Sequence, residues 1–209
     1  MSNSPAGRGG PAIRGIRFCP ARLVWTAFFI CLCVGCRVEP PAEWNLVLIN
    51  PVPVWQDDEL YLTAGLDWSP SPAVVEALEH GVAVPLRITT RVARYHRWFA
   101  IVERDLDHRL EIRYLPLVRS YQLNDPLSGQ QQNFPRLGML TAALRERRRW
   151  PTGLDREAAD ARAWQVQLRA ELERSRLPSP MRIPVWFDPQ WRVVSEWQTW
   201  LIDPAGTSG

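Results

Sequence analysis

The chain has 209 residues, with 25 basic and 22 acidic side chains; every basic residue is arginine, which excludes lysine chemistry. All four cysteines lie before residue 37, so the remainder has neither a disulfide nor a cysteine-held zinc. Arg8, Arg14, Arg17 and Arg22 account for the positive net charge; from residue 36 onward 21 basic residues meet 22 acidic ones, a balance that argues against a general nucleic-acid binder.

The first 36 residues have the anatomy of an export signal. An arginine-bearing segment is followed by an apolar run, Leu23 to Val34, and the small residue Gly35. The run is 12 residues long, and a membrane-crossing helix needs about 20. Its end, Leu32-Cys33-Val34-Gly35-Cys36, resembles the lipobox of bacterial lipoproteins, in which the cysteine becomes the lipidated first residue. The usual leucine three positions before that cysteine is replaced by Cys33, with Leu32 one place further back. Lipidation of Cys36, ordinary cleavage and a retained anchor are the three readings. Residues 37–43 then form a proline-containing tether, and Arg37 stands where an inner-membrane retention signal would place aspartate.

Asn45 to Trp55 is apolar and β-rich, with Pro51 and Pro53 suited to an edge strand. Gln56-Asp57-Asp58 marks a turn. Leu60, Leu62, Ala64, Leu66 and Trp68 alternate with more polar residues, the mark of a strand with one buried face. Ser71 and Pro72 open a helix over Ala73–His80, which Gly81 ends. Val82, Val84, Leu86, Ile88 and Val92 continue as a strand, with Arg87, Thr89 and Arg91 on its other face. Two β-like runs follow within 107–123, broken at Pro116, then a polar loop from Pro126 to Gln132.

A second helix is expected from about Pro135 to Arg147, with Leu137, Leu140, Thr141 and Leu144 on one face. Arg145, Arg147, Arg148 and Arg149 crowd its end. Cations there suit the helix dipole; they are also candidates for contact with an acidic partner or lipid headgroups. Residues 161–174 have helical composition, but Trp164, Val166, Leu168, Ala170 and Leu172 alternate strictly with polar residues, which favours a strand. Residues 181–201 are tryptophan-rich and read as extended.

The expected fold is mainly antiparallel β, sandwich-like, with about seven strands and two short helices. The alternative is α+β, with helices covering one antiparallel sheet. The expected domains are the export signal (1–36), the tether (37–43), one β-rich domain (44–203) and a tail (204–209).

Sites are sparse. His80, His96 and His108 are too far apart in sequence for a recognisable metal motif, so no metal or cofactor is expected. Ser195 and Glu196 are adjacent, and neighbours on a strand point to opposite faces. A hydrolase would need His96 or His108 within hydrogen-bonding distance of a carboxylate or serine. Of the 11 tryptophans, Trp191, Trp197 and Trp200 are candidate partner or ligand contacts. The separation of Trp197 and Trp200 puts them on opposite faces of one regular strand.

Several stretches together resemble the DUF4390 family of exported proteobacterial envelope proteins. They are Leu60-Tyr61-Leu62-Thr63-Ala64, VVEALEHGVAVPL (74–86), LEIRYLPLVRSYQL (110–123), QNFPRLGMLTAALR (132–145), LERSRLPSPMRI (172–183) and WRVVSEWQTW (191–200). Val194-Ser195-Glu196-Trp197 departs slightly from the Ser-Ser or Leu-Ser expected before that tryptophan. The resemblance implies export, a periplasm-facing domain and no known catalytic residues. It also implies, by association, a membrane sensor histidine kinase as a neighbour. The expected function is therefore a non-enzymatic envelope protein, lipid-anchored, that binds a protein partner such as a sensor kinase. Binding of a small glycan or lipid ligand in a periplasmic cleft is the alternative.

Overall fold

The computed structural model describes residues 44–96, 98–179 and 185–204. The expected export signal with Cys36, the expected tether and the expected tail beyond residue 204 lie outside the described residues. Among those described, nine strands form two antiparallel sheets. The sandwich-like expectation is met, with two more strands than expected and three short α-helices instead of two.

The smaller sheet begins with the hairpin of β1 (Asn45–Gln56) and β2 (Glu59–Ser69). Asp57 and Asp58 both have positive φ, 49° and 63°, the backbone of a two-residue primed turn whose twist matches the strands. These aspartates are therefore turn residues. Strand β1 is an edge strand, as its prolines suggested, and its register shifts between Ile49 and Val52. The buried Thr63 hydroxyl donates to the Val52 carbonyl at 3.2 Å beside this irregularity. On β2, Leu60, Leu62, Ala64, Leu66 and Trp68 are all buried.

Helix α1 (Pro72–Glu79) starts as its sequence suggests: the Ser71 hydroxyl accepts from the Val74 amide, and Pro72 needs no hydrogen bond at the first helical position. Gly81, at φ 80°, ends it. The larger sheet has the order β6-β5-β4-β3-β8-β9. Its strands are β3 (Val84–His96), β4 (Phe99–Leu115), β5 (Ser120–Asp125), β6 (Gln130–Phe134), β8 (Trp164–Leu172) and β9 (Gln198–Ile202). The alternation at 164–172 is that of a strand, with every second residue buried. The expected loop at 126–132 is a turn over 126–129, and its last three residues start β6; β4 begins well before residue 107.

Helix α2 (Leu137–Leu144) is shorter than expected, and Arg148 and Arg149 belong to β7 (Arg148–Asp155) instead of a helix end. Strand β7 and α3 (Arg156–Ala161) were not anticipated: Pro151 and Gly153 look like strand breakers, but β7 is an edge strand, where a missing N–H is tolerated. The extended reading of 181–201 is also corrected. Among the described residues of this stretch, Pro189–Trp191 is a 3-10 turn, residues 185–187 are helical, and β9 supplies the strand.

The inner faces of the two sheets share one core, with Trp68 and Trp150 among its largest fully buried side chains. Gly65 lets another segment approach β2: a Cβ there would stand 2.2 Å from the Arg145 carbonyl oxygen, and the Arg145 guanidinium holds Asp67 at 2.8 Å on the same strand. Gly65→Ala should therefore force backbone apart and cost about 1–3 kcal/mol. Thermal unfolding should show a melting temperature lower by several degrees; an unchanged value would mean this approach is unimportant.

Candidate functional site

The pairing of β3 with β4 runs from Val84↔Ile112 to His96↔Phe99, whereas the pairing of β3 with β8 stops at Arg94↔Trp164. Beyond Arg94 the Tyr95 amide still donates to the Ala163 carbonyl at 3.1 Å, and the hairpin then ends in two residue pairs, Tyr95↔Ala100 and His96↔Phe99, a short arm past the ladder with β8. Its shank is held by charge. Arg91 makes two hydrogen bonds to Asp105, at 2.8 and 2.9 Å, Arg94 pairs with Glu103, and Arg104 donates to the Gly153 carbonyl at 2.8 Å. The end is apolar and open. Trp98 is 87% exposed, and Tyr95, Phe99, Ile101 and Val102 are exposed around it. The His96 and Phe99 rings lie 5.3 Å apart across the last pair. Isolated two-stranded hairpins are marginal in water, so an exposed apolar tip on one calls for a functional reading.

No element was predicted over 93–106, because the sequence around Trp98 lacks glycine, asparagine, aspartate and proline. One signal was present: Arg94 with Glu103, Arg91 with Asp105 and Thr89 with Asp107 are complementary pairs nearly symmetric about residue 98, as a hairpin requires.

The predicted tryptophans do not form one surface. Trp191 is buried in the core. Trp197 lies on the outer face of the larger sheet, where the Arg91 and Arg169 guanidinium carbons sit 4.6 and 4.8 Å from its ring centroid. Trp200, opposite Val166 on β9, packs half-buried against the core, so Trp197 and Trp200 do take opposite faces. The most exposed described indoles are instead Trp98 and Trp186, the latter with the Arg174 guanidinium 4.7 Å from its ring and the 80%-exposed Phe187 beside it.

The four arginines are also divided. Arg145 is bound to Asp67, and Arg148 to Asp125 in a largely buried pair at 3.4 Å. Arg149 donates to Gln56. Arg147, Arg148 and Arg149 share a cleft of about 510 Å³ with Tyr61, Asp125 and Glu146, between β7 and the β5–β6 hairpin. A second cleft, about 480 Å³, lies beside Trp186 and Trp191.

Ser195 is structural: its hydroxyl accepts from the Ala170 amide at 2.9 Å and donates to the Glu196 carbonyl. Among the described residues neither His96 nor His108 meets a carboxylate or serine hydroxyl, the geometry a hydrolase reading needs. No group of three or more metal-binding side chains is present among them either, and no described helix is long and apolar enough to cross a membrane. His108 packs 6.0 Å from Trp150, ring to ring. Burial holds its pKa below the ordinary value; the Pro151 carbonyl and the charges of Asp107 and Asp125 oppose that shift without cancelling it.

These features define an all-antiparallel β domain with a charged outer face and a projecting apolar arm. The family described as "Domain of unknown function (DUF4390)" matches residues 45–201, and the chain belongs to it. No curated protein and no solved structure matches the chain.

The depressed pKa of His108 has a stability consequence. The folded state binds fewer protons than the unfolded one, so this contribution is fully present above about pH 6.5, the unfolded value, and is lost as pH falls toward the folded value. Melting temperatures measured between neutral and mildly acidic pH should fall with pH more steeply in the parent chain than in His108→Gln. Equal slopes would show that His108 does not carry the effect.

Proposed function

We propose that this DUF4390 member is a non-enzymatic protein of the bacterial cell envelope, exported, lipid-anchored at Cys36, and binding a partner protein through the β3–β4 arm. The observation that carries the reading is the exposed pair Trp98 and Phe99 at the projecting tip of the β3–β4 hairpin, with Ile101 and Val102 exposed next to them on β4, level with the end of β8. Large aromatic side chains on a protruding element are typical anchors for a partner's pocket. The paired charges of the shank hold the two strands together, while Trp98 and most of Phe99 remain open to solvent at the tip.

The export signal and the lipobox-like Cys36 support a periplasm-facing location, and the family resemblance supports a membrane sensor kinase as the kind of partner. Small-ligand binding is the second reading, favoured by the volume of the Arg147–Arg149 cleft, which suits a small molecule. It ranks second because Arg148 and Asp125 neutralise each other and Glu146 shares the wall.

The test uses the full-length chain in a proteobacterial host, with a photo-crosslinking amino acid at position 98 or, as control, at Gln131. A discrete adduct with an envelope protein is expected from position 98, absent from 131 and lost on Phe99→Asp. The N-terminal peptide should begin at a lipidated Cys36. The same adducts from both positions, or none from 98, would remove the arm from the function. An unmodified N-terminus on a soluble chain would remove the anchor.

A further inference from the structure

The register of the larger sheet gives the domain two distinct ends. At one end, Arg94 is aligned with Ile101 and Trp164, and the arm continues past them. At the other, Leu86 is aligned with Leu110 and Leu172. Strand β4 runs on from there to the turn Pro116–Arg119, and β8 runs on to Arg174, whose guanidinium lies 4.7 Å from the Trp186 ring. Trp44, the first described residue, is at this second end too, beside Pro70, Pro72 and Val75 at the start of α1. Strand β3, 13 residues long, spans about 43 Å at roughly 3.3 Å per residue.

The second end carries its own apolar surface. Leu117 is fully exposed and Val118 is exposed beside it; Trp186 and Phe187 are exposed past the end of β8. The turn at 116–119 has leucine and valine at its tip, where polar residues and glycine are usual. Arg119 follows with φ 47°, a left-handed backbone that disfavours its side chain type. Local turn chemistry therefore does not explain Leu117, Val118 or Arg119.

We infer that this end of the domain rests on the lipid surface, with Leu117, Val118, Trp186 and Phe187 in the interfacial region and the β3–β4 arm directed away from it. The occupant follows from chain length. Cys36 and Trp44 are separated by seven residues and eight Cα–Cα steps, which reach at most about 29 Å. An anchor at Cys36 thus holds the Trp44 end within that distance of the bilayer. Tryptophan and phenylalanine suit the boundary between headgroups and acyl chains, and Arg119, Arg174 and Arg176 can meet headgroup phosphates. Glu76 and Glu79 are exposed on α1 nearby, so apolar insertion, not net charge, carries the contact.

The inference rests on the proposed membrane anchoring, and its test separates the two. Full-length chain carrying benzoylphenylalanine at position 117, 187 or 98 is expressed, membranes are separated from soluble protein, and adducts are analysed by mass spectrometry after illumination. Phospholipid adducts are expected from 117 and 187 and none from 98. A chain that stays in the membrane fraction yet gives no lipid adduct from 117 or 187, or gives as much from 98, overturns the orientation alone. A chain absent from the membrane fraction overturns the anchoring as well.

Discussion

The two sheets are joined at an edge where no backbone ladder connects them. The outward carbonyl of Pro151 on β7 accepts from the buried Thr90 hydroxyl of β3 at 2.9 Å, and that of Gly153 accepts from Arg104 of β4. Pro151 has no N–H to offer on the same edge. These contacts occupy acceptors that an incoming strand would need, so one arrangement closes the sandwich and blocks edge pairing. They also place β7 over β3, next to the start of the arm, and put His108 against Pro151 in a site where its charged form is disfavoured.

The outer face of the larger sheet is organised by cross-strand charge. Arg87 meets both Glu171 and Asp107, Arg169 also meets Glu171, and Arg109 meets Glu173. Single exposed pairs of this kind contribute little to stability. Together they leave few free charges on this face and support Trp197 between two guanidinium groups. Nearly balanced composition is thus realised as local pairing, and the most exposed apolar side chains, Leu117, Trp98, Phe187, Val118 and Phe99, fall at the arm, the Leu117 turn and the Trp186–Phe187 segment.

Legibility from sequence differed by element. Strands with one buried face were readable at Leu60–Trp68 and Trp164–Leu172, because burial enforces a period of two. The Ser71–Pro72 helix start was readable because its cap is local. Strand β7 was hidden, since Pro151 and Gly153 only make sense beside the side chains that receive their carbonyls. The arm was hidden for another reason: the first half of β4 is exposed on both faces, so no core imposed a pattern there. Trp191 and Trp186 could not be told apart as core and surface, because indoles serve both purposes.

The sequence by itself determined that the body is antiparallel β-rich, free of cysteine and lysine, and preceded by a 12-residue apolar run, since these depend on composition and short periodicity. Tertiary structure alone decided which aromatic side chains remain exposed, which arginines are consumed by Asp67 and Asp125, and that the arm and the Leu117 turn lie at opposite ends of the sheet. Those outcomes depend on register between segments up to about a hundred residues apart, and register is set by packing, which no local stretch of sequence contains.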